Sequence, residues 1–250
     1  GIIFGPIFKS KKQIIKNLEK ANIQKKQNLE KIASNVLGNY GRIFAEYPHL
    51  KNFRNNKLKN FINVEGVENL RKIKDEKKSV VFISGHFNNF ELMAMQIEMA
   101  GINLAAIYRP LNNIFLNKIM EKIRKNYICK KQIKKGKSGT RNLVDLLQKK
   151  FSVALMIDQR VSEGASINFF NNQAKTTTIP AQLVRKYGYR VVPVYIEREN
   201  KYNFKISFHS PIKFDNNSSV EEISLELNQI LEKMILNNPE QWIWTHDRWK

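Results

Sequence analysis

Apolar residues at 29, 32, 36, 37, 40, 43 and 44 recur at helical spacing and predict a helix over Leu29–Phe44. Core packing is the usual role of such a stripe, and its outer edge also suits a membrane surface. A second helical pattern covers Val67–Lys74, entered through Glu65-Gly66. Beyond it the period alternates. Ser79–Ser84 is a short apolar run with β-branched residues and predicts a buried strand. Asn88–Ala100 then predicts a helix, Leu104–Tyr108 a strand and Asn113–Tyr127 a helix. A Lys/Gly-rich loop over Lys134–Gly139 leads to a helix ending at Lys150 and a strand over Ser152–Ile157. Ile179–Tyr187 predicts a helix with Pro180 suited to its first turn. Strands follow at Arg190–Glu197 and Tyr202–Phe208, and a last helix at Val220–Leu236. This alternation predicts the α/β class: one domain over residues 1–250, with a mixed, mostly parallel sheet covered by helices on both faces.

A chain of 250 residues with 42% hydrophobic content can bury a full core. Its 43 Lys and Arg against 22 Asp and Glu give a net charge of +21. Such a field attracts nucleic acid, an anionic membrane or an acidic protein, although solvated surface lysines account for part of it equally well. Apolar runs such as Val80–Ile83 and Val191–Ile196 are strand-sized, far short of the roughly 20 residues a spanning helix needs. Gly1–Phe8 is apolar and precedes Lys9, Lys11 and Lys12, the pattern expected where a hydrophobic anchor meets a basic cytoplasmic flank. It carries no signal-peptide cleavage site. A spanning or inserted segment before Gly1, and a membrane-proximal helical region over about residues 1–50, are therefore expected. Cys129 stands alone, and His49, His86, His209 and His246 lack ligand spacing, so no disulfide, metal or cofactor is expected.

The segment richest in chemistry is Ile83-Ser84-Gly85-His86-Phe87-Asn88-Asn89-Phe90-Glu91. A buried strand ends at Gly85 and the next helix begins after His86, the edge at which α/β active sites collect. Glu91, on the first turns of that helix, is placed to turn back, accept the imidazole N–H and fix its tautomer. A structural loop histidine and an ordinary first-turn acid remain the alternative. No other nucleophile competes. There is no G-x-S-x-G elbow, Ser84 precedes the turn glycine, and Cys129 sits in a Lys-rich segment without a partner. Gly136-Lys137-Ser138-Gly139 lacks the spacing of a phosphate loop.

HFNNFE resembles the H-F-G-N-W-E block of the bacterial lipid A late acyltransferases, the lauroyl and myristoyl transferases of the lysophospholipid acyltransferase superfamily. Further blocks follow in the family's order. Tyr108-Arg109-Pro110-Leu111-Asn112-Asn113 resembles its Arg-Pro block and Met156-Ile157-Asp158-Gln159 its Asp-Gln block. Phe169-Phe170, Thr177, Thr178, Pro180-Ala181 and Leu183 resemble the next, and Pro239–Lys250 the carboxyl-terminal one. Gly41-Arg42 with Glu46 also has a counterpart, so the likeness covers nearly the whole chain. Departures are Asn88 for the usual Gly, Phe90 for Trp, Asn171 for Gly, Ile179 for Gly and Ile114 for Pro. None removes a catalytic group.

The resemblance implies a glycerolipid-acyltransferase-like fold and direct acyl transfer from an acyl-carrier thioester to a hydroxyl of a lipid A precursor, in lipopolysaccharide biosynthesis. His86 would be the general base paired with Glu91. Arg109 would hold a phosphate of the acceptor or of the donor's pantetheine arm. Asn89 and Asn113 would bind substrate, and Asp158 and Gln159 would either do so or brace the His86 loop. Trp242, Trp244 and Trp249 with Arg248 and Lys250 resemble an interfacial anchor, although core packing explains a Trp equally well. The implied partners are an acidic acyl carrier protein or acyl-CoA as donor, an anionic lipid acceptor and a membrane surface, with no nucleic acid. The implied place is the cytoplasmic face of the bacterial inner membrane. An acyl-CoA-dependent transferase acting on a glycerophospholipid or a glycosylated inositol lipid is the alternative. A basic nucleic-acid-binding protein is the distant one, since no reading motif appears.

Overall fold

The computed structural model describes residues 11–23 and 28–250. The expected anchor flank at Gly1–Phe8 lies outside the described residues. The hydrophobic patterns assemble into a seven-stranded sheet with the order β1-β9-β8-β2-β5-β3-β4. Its strands are β1 (Ile62–Glu65), β2 (Val80–Ser84), β3 (Leu104–Tyr108), β4 (Lys131–Lys134), β5 (Ser152–Met156), β8 (Arg190–Arg198) and β9 (Phe204–Phe208). All pairs are parallel except β8 with β9. The expected mixed, mostly parallel sheet is therefore the observed one. β2, the apolar run read as buried, has all its residues buried, as a central parallel strand requires.

Helices flank the sheet. They are α1 (Lys11–Lys20), α2 (Leu29–Glu46), α3 (Leu50–Arg54), α4 (Val67–Glu76), α5 (Glu91–Met99), α6 (Ile114–Ile123), α7 (Lys137–Gln148), α8 (Ile179–Tyr187) and α9 (Val220–Asn237). A π turn over Arg124–Ile128 continues α6. α5 packs against β3 and β8, and α8 against β2 and β8. The α2 stripe buries Ile32, Val36 and Leu37 but leaves Phe44 at its end 72% exposed. α9 opens with a capping box in which Ser219 and Glu222 satisfy each other's backbone N–H groups. Among the described residues no helix is long and apolar enough to cross a membrane.

Four strands were not anticipated. β1 alternates between half-buried and exposed positions at a sheet edge, and β4 is a short, Lys-bearing strand that runs into the expected loop at Lys134. The third departure is an antiparallel hairpin of β6 (Ala165–Phe169) and β7 (Asn172–Thr176), closed by Phe170 and Asn171. Both turn residues have positive φ, 49° and 56°, as a two-residue hairpin turn of primed type demands. Asn171 therefore occupies a position that suits Gly or Asn, which accounts for its departure from the family's Gly.

The carboxyl-terminal tryptophans correct the anchor reading. Trp242, Trp244 and Trp249 are 3%, 0% and 8% exposed, and each indole N–H donates inside the protein. Arg248 is fully buried, donating to the Lys175 carbonyl and the Thr176 hydroxyl and lying over the Phe169 ring. This segment is core. It also closes on the amino-terminal helices, where Asn17 donates to the Trp244 and His246 carbonyls, both at 2.7 Å.

Candidate active site

Strand order decides which loops meet. β2 pairs with β5 so that Ser84 faces Met156, and the Ile157 N–H donates to the Ser84 carbonyl. The residues just beyond these strands, His86 and Asp158, are therefore neighbours at the carboxyl edge of the sheet. β3 flanks β5 on the other side, so Arg109 emerges at the same edge.

The His86 side chain is held from one side. Asp158 Oδ2 accepts the His86 backbone N–H at 2.7 Å, and Oδ1 takes Nδ1 at 2.8 Å. Asp158 is 1% exposed, and its Oδ2 also accepts the Trp242 indole N–H at 2.9 Å. Burial alone would raise its pKa. The charge of His86 and the hydrogen bonds from His86 and Trp242 outweigh burial and hold the carboxyl down at about 2. A carboxylate that stays ionised keeps the proton on Nδ1 and leaves Nε2 for the cleft. Phe90 packs edge-on to the imidazole, with ring centroids 4.8 Å apart.

Glu91 was expected to accept the imidazole N–H. That contact belongs to Asp158. Glu91 is the first residue of α5, and its Oε1 accepts instead from Tyr47 Oη at 2.6 Å and from Arg124 Nε and Nη2 at 2.8 and 2.6 Å. Burial works against the Arg124 charge, but Glu91 and Tyr47 together more than offset it and raise its pKa. Burial, and then the Glu91 charge, push the Tyr47 hydroxyl up as well. Glu91 thus anchors a buried cluster on the cleft wall.

The loop between His86 and α5 is clamped from the carboxyl-terminal segment. Phe87 bridges to Trp242, and the Asn88 N–H donates to the Gln241 carbonyl at 3.1 Å. Asn88 has φ 37°, a left-handed conformation open to Gly and tolerated by Asn, which explains its place where the family has Gly. Its side chain donates to Gln241 Oε1. A Cβ on Gly85 would lie 2.9 Å from Leu231 and 3.0 Å from Phe87, so the strand-to-loop turn has no room for a side chain.

His86 and Glu91 open onto a cleft of about 800 Å³, a size typical of ligand sites. Val36, Ile43, Leu116, Met120 and Ile123 contribute apolar wall, and Arg109, Lys135 and Arg160 bring positive charge. Burial, then the nearby Arg109 charge, lower the Lys135 pKa. Gln159 lines the cleft and meets His246 Nε2 at 3.0 Å. Two expected substrate contacts stand elsewhere. Asn89 is fully buried and donates to Glu46 at 3.0 Å, while Asn113 caps α6 by accepting the Phe115 and Leu116 N–H groups. Asp158 is likewise behind His86 rather than in the cleft. Tyr47, Arg124, Lys135 and Arg160 carried no local motif. A lone Arg or Lys in a basic chain gives no signal until the fold brings it to an acid or a cavity.

A model of the family described as bacterial lipid A biosynthesis acyltransferase matches residues 1–250. The chain is 25% identical over 255 residues to the lipid A biosynthesis palmitoleoyltransferase of Escherichia coli strain K12, covering all of this chain and 82% of that protein. It is 24% identical over 202 residues to the lipid A biosynthesis lauroyltransferase of the same organism, covering 78% of this chain and 63% of that one. Among solved structures, the 1-acyl-sn-glycerophosphate (LPA) acyltransferase PlsC from Thermotoga maritima aligns with a TM-score of 0.47 and 13% identity, covering 91% of this chain and 88% of that one. With its family's blocks gathered around one cleft and the family match running end to end, this chain belongs to the bacterial lipid A biosynthesis acyltransferases.

Proposed function

We propose that the protein moves a fatty-acyl chain from the thioester of an acyl carrier protein to a hydroxyl of a lipid A precursor, on the cytoplasmic face of the inner membrane. The observation that carries this reading is the His86–Asp158 pair, whose remaining ring nitrogen is available to an apolar cleft bearing Arg109, Lys135 and Arg160. His86 Nε2 takes the proton of the acceptor hydroxyl as that oxygen attacks the thioester carbonyl. When the tetrahedral adduct collapses, the C–S bond breaks and the proton on Nε2 passes to the departing thiolate, leaving an ester and a free thiol. A positioned base of this kind is worth about 10²–10⁴-fold in rate. Asp158 holds the tautomer and compensates the imidazolium. Glu91 acts as a positioning residue, fixing Tyr47 and Arg124 where α5 meets the cleft.

Arg109 supplies a planar fork suited to a phosphate of the acceptor or of the carrier's pantetheine arm, with Lys135 and Arg160 adding charge. A chain of net charge +21 also favours an acidic carrier and an anionic membrane, toward which residues 1–50 are proposed to lie. The test is a single-turnover assay with acyl carrier protein thioester and a lipid A precursor, run beside acyl-CoA and scored by mass spectrometry. Acylated product should form faster from the carrier protein, and His86→Ala should cost at least about 10²-fold. Near-normal turnover by folded His86→Ala protein removes the mechanism.

A further inference from the structure

Helix α6 buries none of its 10 residues. Ile114, Phe115, Leu116 and Ile119 are nevertheless large and apolar, and are 70%, 80%, 53% and 56% exposed. Exposed apolar clusters of this kind mark interaction surfaces. At about 100° per residue, Phe115, Ile119, Ile123, Leu116 and Met120 share an arc of about 140°. Leu116, Met120 and Ile123 are cleft wall, and Phe115 and Ile119 carry the same arc out to the surface. Phe44 and Leu111, both exposed, line the same cleft. Apolar surface therefore continues from the lining of the cleft onto the outside of the protein.

The opposite side of α6 is tied down. Asn117 Oδ1 accepts the Leu111 N–H at 2.9 Å. Glu121 Oε1 accepts from Tyr108 Oη at 2.6 Å and pairs with Lys134 at 3.0 Å. These bonds fix the helix with its apolar arc outward. Lys118 and Lys122 are exposed beside Phe115 in that projection, and Lys125 is exposed just past the helix end. A basic flank along an apolar stripe is the pattern of a helix lying in the membrane–water interface.

We propose that α6 inserts this arc into the interface of an anionic bilayer and so docks the mouth of the cleft on lipid. The acceptor lipid then presents its hydroxyl to His86 while its own acyl chains stay out of water. The flanking lysines and the net charge of +21 attract anionic lipid and repel a second copy of the chain, which selects the bilayer as occupant. The purpose of the docking rests on the acyl-transfer reading, but insertion can be measured without turnover.

Cys129, the chain's single cysteine, is fully buried, so a thiol introduced by Phe115→Cys can be labelled selectively with an environment-sensitive fluorophore. Vesicles of phosphatidylethanolamine with phosphatidylglycerol should brighten and blue-shift that label, and lipids brominated near the headgroup should quench it. The same label at Lys78→Cys, exposed at the opposite edge of the sheet, should stay in water. The double variant Phe115→Ser, Ile119→Ser should partition to these vesicles at least about tenfold more weakly, since two apolar side chains no longer leave water. Its turnover of detergent-dispersed substrate should be unchanged. Wild-type partitioning by the double variant overturns the proposal. So does a label at Phe115→Cys that stays wet while the protein sediments with vesicles, or one shielded by self-association without lipid. Failure of the acyl-transfer reading would appear separately, as no product from either substrate form.

Discussion

Replacing Asp158 by Asn changes one atom and should cost nearly all of the activity, for a reason that can be followed atom by atom. Oδ2 of Asp158 faces two obligatory donors, the His86 backbone N–H at 2.7 Å and the Trp242 indole N–H at 2.9 Å. In Asp158→Asn the amide oxygen must take that position, because an NH₂ group there would meet two N–H groups. The NH₂ then falls at Oδ1 and faces His86 Nδ1 at about 2.8 Å, so Nδ1 must accept. The ring proton moves to Nε2, and the nitrogen proposed as the base becomes a donor. The rate of acyl transfer at saturating substrate should fall by about 10²–10⁴, the range of a general base, with the upper end equal to the cost of the same exchange in a Ser-His-Asp triad. The assay is single turnover with acyl carrier protein thioester, beside a near-ultraviolet dichroism check of the fold. ¹⁵N shifts of His86 read the tautomer directly. Folded Asp158→Asn protein working within tenfold of wild type, or keeping its proton on Nδ1, refutes the argument.

The remaining expectations concern stability. Because the Asp158 pKa is depressed to about 2 in the fold, its stabilising contribution should be complete above about pH 4, the ordinary Asp range, and lost as pH falls through about 2. Urea unfolding of wild type and Asp158→Asn at stepped acid pH should show the difference between them shrinking over that window. Arg124→Ala strands the Glu91 carboxylate, whose side chain is 7% exposed, and should cost about 3–5 kcal/mol, as breaking a buried pair does. Adding Glu91→Gln to Arg124→Ala should recover part of that loss in the same denaturation assay. At Asn88, with φ 37°, Asn88→Gly should be tolerated better than Asn88→Ala by about 1 kcal/mol, because Ala alone pays for the left-handed backbone.

Where local pattern and tertiary demand coincide, the fold was legible. The apolar run of β2, the helix over Ile179–Tyr187 and the strand over Leu104–Tyr108 lie where their periodicity puts them. The hairpin over Ala165–Thr176 was not, because Phe170-Asn171 lacks the Asn-Gly or Asp-Gly pair that announces such a turn. The carboxyl-terminal tryptophans were misread for a related reason. Composition cannot distinguish an indole that anchors in lipid from one whose N–H is spent on a buried carbonyl, as that of Trp244 is on Pro239.

The site shows the same division at closer range. The strand-to-helix placement of His86 is a local signal, visible in a few residues around Gly85. Its partner is not. A carboxylate following His86 in the next helix reads as the natural acceptor only if that helix begins near Asn88. Asn88 instead turns left-handed and is clamped to Gln241, and Phe87 bridges to Trp242, so α5 starts at Glu91. The carboxylate that reaches the imidazole comes from Asp158, 72 residues away in the chain, because β5 pairs with β2 in the register that sets Met156 beside Ser84. Glu91 is released to hold Arg124, and α5 is thereby fixed to the wall of the cleft. Both carboxylates belong to one arrangement. Asp158 holds Nδ1 of His86, and Glu91 holds Tyr47 and Arg124 on the wall of the same cleft.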